Sequence, residues 1–138
     1  IIVDIYHFAP PPISSYGNFS CEGVKYDQAA KRYVPKRSGA LITIYSKKAE
    51  KWAEKLGLSI SEAMAINFGH EIEHTTSENL ELRSRNAQKK EREAAPKQVS
   101  KDMISEFVYL QVLKSLKDIQ ISPNPLIQTA QNINIRTE

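Results

Sequence analysis

Five consecutive residues near the middle of the chain carry the clearest chemical signal, His70-Glu71-Ile72-Glu73-His74. Residues four apart on an α-helix lie on the same face, so His70 and His74 can direct two imidazole nitrogens at one point. Zinc binds imidazole nitrogen, and a catalytic zinc site takes three protein ligands and leaves a position for water. Glu71 falls on the same side of the helix, where its carboxylate can accept a proton from that water. The leading hypothesis is therefore a small zinc-dependent peptidase.

The residues before the motif predict the helix that the motif requires. Ser59 and Glu62 have the spacing of a capping box, which predicts a helix over residues 60–75. An apolar stripe repeats every four residues along it and is predicted to pack into the core: Met64, Phe68 and Ile72. The ligand pair then lies on the other side of the helix, anchored by that stripe.

A third ligand must come from elsewhere in the chain. The extended metzincin pattern is absent, because residues 75–80 contain neither its glycine nor its third histidine. A downstream carboxylate is the better candidate. Glu93 is favoured, because the small residues Ala94 and Ala95 beside it allow close approach, although a charge near a helix start also favours the macrodipole. Glu91 and Glu106 remain alternatives, and His7 is a further candidate near the N-terminus.

The remaining pattern predicts an α+β fold. Residues 1–6 and 40–45 are rich in β-branched residues and are predicted strands, with a short strand and a hairpin between them. Residues 97–116 form a long predicted helix with apolar positions on two sides. The expected architecture is zincin-like: a small N-terminal antiparallel sheet, an active-site helix and a long C-terminal helix. The strand at 40–45 is predicted to form the cleft rim, with a free edge that pairs with an extended substrate.

A length of 138 residues fits one domain with its own core. The predicted organisation is a single domain over residues 1–138. Its residues 1–45 are mainly strands, 46–118 are helical and carry the metal site, and 119–138 form a tail. Pro123, Pro125 and several Asn and Gln residues weaken any regular pattern in that tail, although residues 132–136 could add one strand.

Composition excludes several classes of protein. The net charge is +3, from 19 Lys and Arg against 16 Asp and Glu. This balance is too even to indicate nucleic-acid binding by itself. Cys21 is the single cysteine, which excludes an internal disulfide, a cysteine-rich zinc site and the paired cysteines of a zinc deaminase. No apolar run approaches the ~20 residues of a membrane span, and no signal peptide is visible.

The stretch from Gly69 to Thr76, followed by Glu93-Ala94-Ala95-Pro96 and a long helix, resembles the metallopeptidase domains of bacterial polymorphic toxins. Such domains are often found at the C-termini of Rhs-type and other secreted effectors. The resemblance covers roughly residues 40–116 and is concentrated in the motif. It implies a zincin fold, zinc bound by His70, His74 and a downstream glutamate, and Glu71 as general base. It also implies secretion or delivery into a target cell and a cognate immunity protein.

Two other functions remain open at this point. One is a non-catalytic binding or interaction module that a metal stabilises. The other is a nucleic-acid-binding domain, but its basic cluster is interspersed with glutamates, as on a solvated surface: Arg83, Arg85, Lys89, Lys90 and Arg92. The expected partner is therefore a protein or peptide substrate, with neither nucleic acid nor membrane. Tyr45 and Tyr109 are candidate donors to the oxyanion of a peptidase.

Overall fold

A computed structural model describes residues 2–6, 16–36 and 40–119 of the chain. Within these residues, five strands are followed by four helices, and the predicted α+β class, small sheet and long C-terminal helix are confirmed. The elements are β1 (Ile2–Tyr6), β2 (Gly17–Ser20), β3 (Val24–Asp27), β4 (Arg32–Pro35), β5 (Leu41–Tyr45), α1 (Ser46–Leu56), α2 (Ile60–Glu73), α3 (Ser77–Ser84) and α4 (Lys89–Ile119).

The main sheet has three strands in the order β1-β5-β2, and β3 and β4 form a separate antiparallel hairpin. β5 pairs antiparallel with β2 but parallel with β1, so the prediction of an antiparallel sheet is wrong for one of the two pairs. Parallel neighbours need a long crossover connection. The chain provides it here by forming β2, β3 and β4 between β1 and β5.

β5 is the central strand of this sheet, and it is buried along most of its length. Ile42 and Ile44 are 0% and 2% exposed and form the core with Phe19, Ala40 and Leu80. Because β5 is paired on both sides, it has no free edge for a substrate. The predicted rim strand is therefore wrong, and β2 lies at the edge of the sheet instead.

The motif helix α2 begins as the sequence predicts. Ser59 Oγ accepts a hydrogen bond from the Glu62 N–H at 3.1 Å, and Glu62 Oε1 accepts one from the Ser59 N–H at 2.9 Å. This closed capping box satisfies two of the backbone donors that a helix start leaves unpaired. Alanines let α2 approach α1 closely, since a second buried cluster consists of Ala49, Ala53 and Ala63.

The predicted core stripe of α2 is only partly confirmed. Met64 and Ile72 pack against the sheet core, but Phe68 is 37% exposed. The reason is that α2 is covered by two neighbours, the sheet and α1. Its buried side chains therefore spread around the helix to Ala63 and Ile66, and they are not confined to one stripe.

The helices after the motif differ most from the sequence prediction. α3 was not predicted, and α4 starts well before residue 97. Pro96 lies inside α4 and is buried. A proline removes one backbone hydrogen bond but does not prevent the preceding residues from being helical. Glu93 therefore lies within α4, one turn before Pro96.

The chain divides into two compact units, Ile1–Ile104 and Ser105–Glu138. The first contains every described strand, α1 to α3 and the beginning of α4; the described part of the second is the helical stretch over residues 105–119. The single-domain organisation stays a prediction. His7 and the predicted tail beyond residue 119 lie outside the described residues. Among the described helices, none combines the length and apolar character that crossing a membrane requires.

Candidate metal centre

Three predicted ligands converge from two helices. His70 lies in the last turn of α2 and His74 is the C-cap residue of that helix, with ring centroids 5.4 Å from each other. Glu93 on α4 faces both rings: its Oε2 is 3.2 Å from His70 Nε2, and its Oε1 is 3.4 Å from His74 Nε2. One ligand atom from each residue lies within 4.8 Å of the others. His70, His74 and Glu93 are therefore close enough to hold a metal ion.

The distances fit the size of a tetrahedral site. Bonds of about 2.0–2.1 Å at the tetrahedral angle separate neighbouring ligand atoms by about 3.3–3.4 Å. The two nitrogen–oxygen separations, 3.2 Å from His70 to Oε2 and 3.4 Å from His74 to Oε1 of Glu93, are of this size, and each histidine faces a different oxygen of the carboxylate. A set of two imidazoles and one carboxylate suits zinc and also other divalent transition metals. The donor set thus fits a metal without fixing which one.

A hydrogen-bonded chain orients His70. The Ser100 hydroxyl donates to the Pro96 carbonyl oxygen at 3.3 Å, and Ser100 Oγ lies 3.0 Å from His70 Nδ1. Because that hydroxyl donates to the Pro96 carbonyl, Ser100 Oγ is free to accept a hydrogen bond from Nδ1–H of His70. Nε2, which lies 3.2 Å from Glu93 Oε2, is then the ring nitrogen that can bind a metal. This arrangement is the one expected around a metal ligand.

His74 is the more enclosed of the two histidines, with 14% of its side chain exposed. Its ring stacks on Phe19 of β2, with centroids 6.3 Å apart and planes 7° from parallel. Burial lowers the pKa of His74 and outweighs the opposing attraction of the Glu93 carboxylate. The neutral imidazole is therefore favoured, which is the form that can bind a metal.

Glu71 is 7% exposed and lies in the same region as the three ligands. Burial raises the pKa of Glu71 to about 7, and repulsion from the Glu93 carboxylate adds to this increase. A group that titrates near neutral pH can both accept and release a proton there. β2 passes close by because it has Gly17 at this point: a Cβ there would lie 2.9 Å from the Thr43 carbonyl oxygen and 3.5 Å from Glu71 Oε1.

These groups line an open cleft of about 720 Å³. β2 contributes one wall, α2 carries the motif residues, and α3 and α4 contribute polar and basic side chains. The residues that line the cleft include Gly17, Phe19, His70, Glu71, His74, Arg83, Lys89, Arg92, Glu93, Lys97, Ser100 and Lys101.

The structure discriminates among the alternatives for the third ligand. Glu91 is directed away from the imidazoles and lies 3.6 Å from Arg85. Glu106 and Tyr109 belong to the second unit, so the ligand role of Glu106 and the donor role of Tyr109 stay predictions. Tyr45 is only 6% exposed, within the sheet, and is not a cleft residue. The expectation that Tyr45 donates to an oxyanion is therefore wrong.

Sequence reasoning missed several residues of the cleft. Ser100 lies two turns after Glu93 on α4, and that spacing alone would have placed both on one face. Gly17, Phe19 and Arg83 carry no local signal, because the sheet and α3 bring them to α2 from distant parts of the sequence.

Comparisons of this chain with protein-family models, with curated proteins and with solved structures found no match.

Proposed function

We propose that this protein is a zinc-dependent metallopeptidase. The observation that carries the proposal is the convergence of His70, His74 and Glu93 beside a buried carboxylate, Glu71, in an open cleft. Structural zinc sites are generally closed by four protein ligands, whereas catalytic sites combine three protein ligands with access for water. The side chains of His70 and Glu93 keep 23% and 24% exposure, which leaves such access.

Each ligand residue has a defined task in this proposal. His70, His74 and Glu93 would hold the ion, with Ser100 fixing the ring orientation of His70 through Nδ1. A zinc ion bound there would supply Lewis acidity, which makes water acidic near neutral pH and polarises a carbonyl group. Phe19 keeps the ring of His74 in place by stacking on it.

Glu71 would transfer the proton in the reaction. Its carboxylate accepts a proton from the attacking water as the water oxygen forms a bond with the carbonyl carbon of the substrate. Glu71 then returns that proton to the amide nitrogen as the carbon–nitrogen bond breaks. The products are a carboxylic acid, which releases its proton to the solvent at neutral pH, and an amine, and the Glu71 carboxylate is regenerated.

The edge strand β2 offers a place for the peptide backbone. The Tyr45 N–H of β5 donates to the Tyr16 carbonyl oxygen at 3.1 Å, so Tyr16 and Tyr45 are a hydrogen-bonded pair of the two strands. Hydrogen-bonded pairs alternate along antiparallel strands, so Gly17 and Phe19 direct their N–H and C=O groups to the other side. An extended peptide can pair with these groups as an added strand. The role first predicted for residues 40–45 is thereby reassigned to β2.

Metal analysis and a substitution of Glu71 test this proposal. We expect about one zinc per purified chain, lost in His70→Ala and His74→Ala. Glu71→Gln should retain zinc but lose about 10²–10⁴-fold in the rate of hydrolysis of an unfolded protein substrate, because general base catalysis contributes that much. Glu73→Gln is the matched control, since Glu73 lies in the same motif but not in the cleft. A Glu71→Gln protein with full activity would contradict the base role.

From the resemblance to polymorphic-toxin domains, we also propose that the peptidase is a secreted effector that acts inside a target cell and has a cognate immunity protein. The same Glu71→Gln variant provides the test. Expression of the unchanged chain in a bacterial cytoplasm should arrest growth, whereas equal expression of Glu71→Gln should not. Arrest by both variants would indicate a non-catalytic binding module, and arrest by neither would contradict the toxin proposal.

A further inference from the structure

The walls of the cleft are more basic than the chain as a whole. Its two carboxylates, Glu71 and Glu93, lie at the candidate metal centre. Five cationic side chains line the same cleft: Arg83, Lys89, Arg92, Lys97 and Lys101. Because the chain as a whole carries a formal net charge of only +3, this excess is a local property of the cleft.

Two of these cations also line a second, smaller cavity. Arg83 and Arg92 belong to both cavities, and Asn86 and Ala87 complete the smaller one, which has a volume of about 250 Å³. Both arginines are half-buried. We call this cavity, lined by Arg83, Asn86, Ala87 and Arg92, the arginine pocket.

Neither arginine of this pocket is paired with an acid among the described residues. The Nε of Arg92 is shielded from solvent and has no hydrogen-bond partner there. The two glutamates of this surface, Glu81 and Glu91, lie 3.7 and 3.6 Å from Arg85 instead. A shielded N–H group without a partner is unfavourable, and neither guanidinium faces an acid of the described residues, so the pocket is suited to an anion that comes from outside the chain.

The arginine pocket adjoins the candidate metal centre. Arg83 lies over the ring of Phe19 at 5.3 Å, and that ring stacks on His74. Arg92 directly precedes Glu93 on α4. An anion held by both arginines would thus lie close to the reacting bond. The planar guanidinium group binds a carboxylate through two parallel hydrogen bonds, which makes it selective for this shape.

We propose that the substrate is an acidic peptide segment, and that the arginine pocket binds the side-chain carboxylate of an aspartate or glutamate next to the scissile bond. This inference rests on the proposed peptidase function. A peptide is favoured over nucleic acid because β2, an outer strand of the described sheet, lines the same cleft and can pair with an extended peptide backbone. The exposed lysines Lys89, Lys97 and Lys101 add long-range attraction for an acidic chain.

A binding measurement that does not require hydrolysis tests the pocket. The full-length Glu71→Gln variant, loaded with zinc, is titrated into a short labelled peptide of alanine and glutamate, and into the same peptide with glutamine in place of glutamate. Fluorescence anisotropy should show at least about tenfold tighter binding of the glutamate peptide, since hydrogen bonds between charged groups are worth that much. The difference should decrease as salt concentration rises.

Arg92→Gln should abolish most of the preference for glutamate over glutamine. Lys51→Gln is the matched control, because Lys51 is an exposed cation of α1 outside the cleft and its replacement changes the net charge equally. Arg83→Gln is a second test of the pocket. Because Arg83 packs on Phe19, its circular dichroism spectrum must match that of the parent, which shows that the fold is retained. Equal binding of both peptides, an unchanged preference in Arg92→Gln, or tighter Arg92-dependent binding of single-stranded DNA would overturn the inference.

Failure of the arginine-pocket proposal and failure of the peptidase proposal give different experimental results. A chain that binds no zinc and hydrolyses nothing would contradict the peptidase proposal, yet a preference for glutamate that depends on Arg92 would still support an anion-binding pocket. Conversely, a chain that hydrolyses acidic and neutral peptides at equal rates would remain a peptidase, and the inference about its substrate would be wrong.

Discussion

The two helices that form the candidate metal centre position their ligands in different ways. On α2, the separation of His70 and His74 follows from helix geometry alone, because residues four apart share a face. On α4, Glu93 reaches the same point only because α4 packs against α2. Local spacing is therefore sufficient to predict the histidine pair, whereas the carboxylate depends on tertiary structure.

These helices approach each other closely one residue before the motif. A Cβ at Gly69 would overlap Met103 Sδ and would lie 3.6 Å from Val99 Cγ1. Gly69 thus allows α4 to approach α2 at the position next to His70. The distance from Glu93 to the imidazoles is set by this packing. Substitutions on α4 can therefore separate the contribution of helix packing to zinc affinity from the contribution of the histidine spacing on α2.

Removing the remote ligand should have the largest effect. Glu93→Gln replaces the only carboxylate of the candidate ligand set with a neutral amide, which lowers both the charge and the affinity of the site. Loss of an outer-sphere partner typically costs 10–100-fold in metal affinity, and loss of a direct ligand should cost more than about 100-fold. Zinc affinity is measured by competition with a chromophoric chelator.

The control for this prediction is Glu91→Gln, on the same turn of α4. Glu91 pairs with Arg85 at the surface, so its replacement should leave zinc affinity unchanged. If Glu91→Gln or Glu106→Gln lost zinc while Glu93→Gln kept it, the packing of α4 on α2 described above would be wrong.

Ser100 tests a weaker remote contribution from α4. Ser100→Ala removes the acceptor for His70 Nδ1 and frees the ring to rotate, so zinc affinity should fall by about 10–100-fold while His74 and Glu93 remain in place. Ser84→Ala is the matched control: the Ser84 hydroxyl also donates to a backbone carbonyl of its own helix, but it lies outside the cleft. Identical zinc affinities in both variants would exclude an orienting role for Ser100.

The same distinction explains which parts of the fold were predictable from sequence. The start of α2 was predicted correctly because Ser59 and Glu62 satisfy each other locally. α3 was missed because its residues are mostly polar and show no apolar repeat. Its stability comes from Thr76, whose side chain caps the helix, and from Leu80, which is buried in the sheet core.

The errors in the sheet have the same origin. Residues 40–45 were correctly predicted to be a strand, but the sequence gives no indication of which neighbours pair with it. β1 pairs on one side and β2 on the other, so β1 and β2, and not β5, are the outer strands of the described sheet, and β2 is the one that lines the cleft. The sequence predicts a helix that begins at residue 97, whereas α4 begins at Lys89 and accommodates the buried ring of Pro96. Both outcomes depend on contacts between residues distant in sequence.

The smallest expected effect comes from disturbing the helix contact without touching any ligand. Gly69→Val should push α4 away from α2, because the new side chain competes with Met103 for space. We expect the metal-free protein to lose about 1–3 kcal/mol of unfolding free energy, as overpacked cores do, and zinc affinity to fall less than in Ser100→Ala. Gly69→Ala should be milder, since methionine is flexible and alanine favours the helix. Adding Met103→Ala to Gly69→Val should restore part of the zinc affinity, because it removes the overlapping side chain. If the zinc-binding free energy lost in the double variant equals the sum of the losses in the two single variants, this contact does not control the position of Glu93.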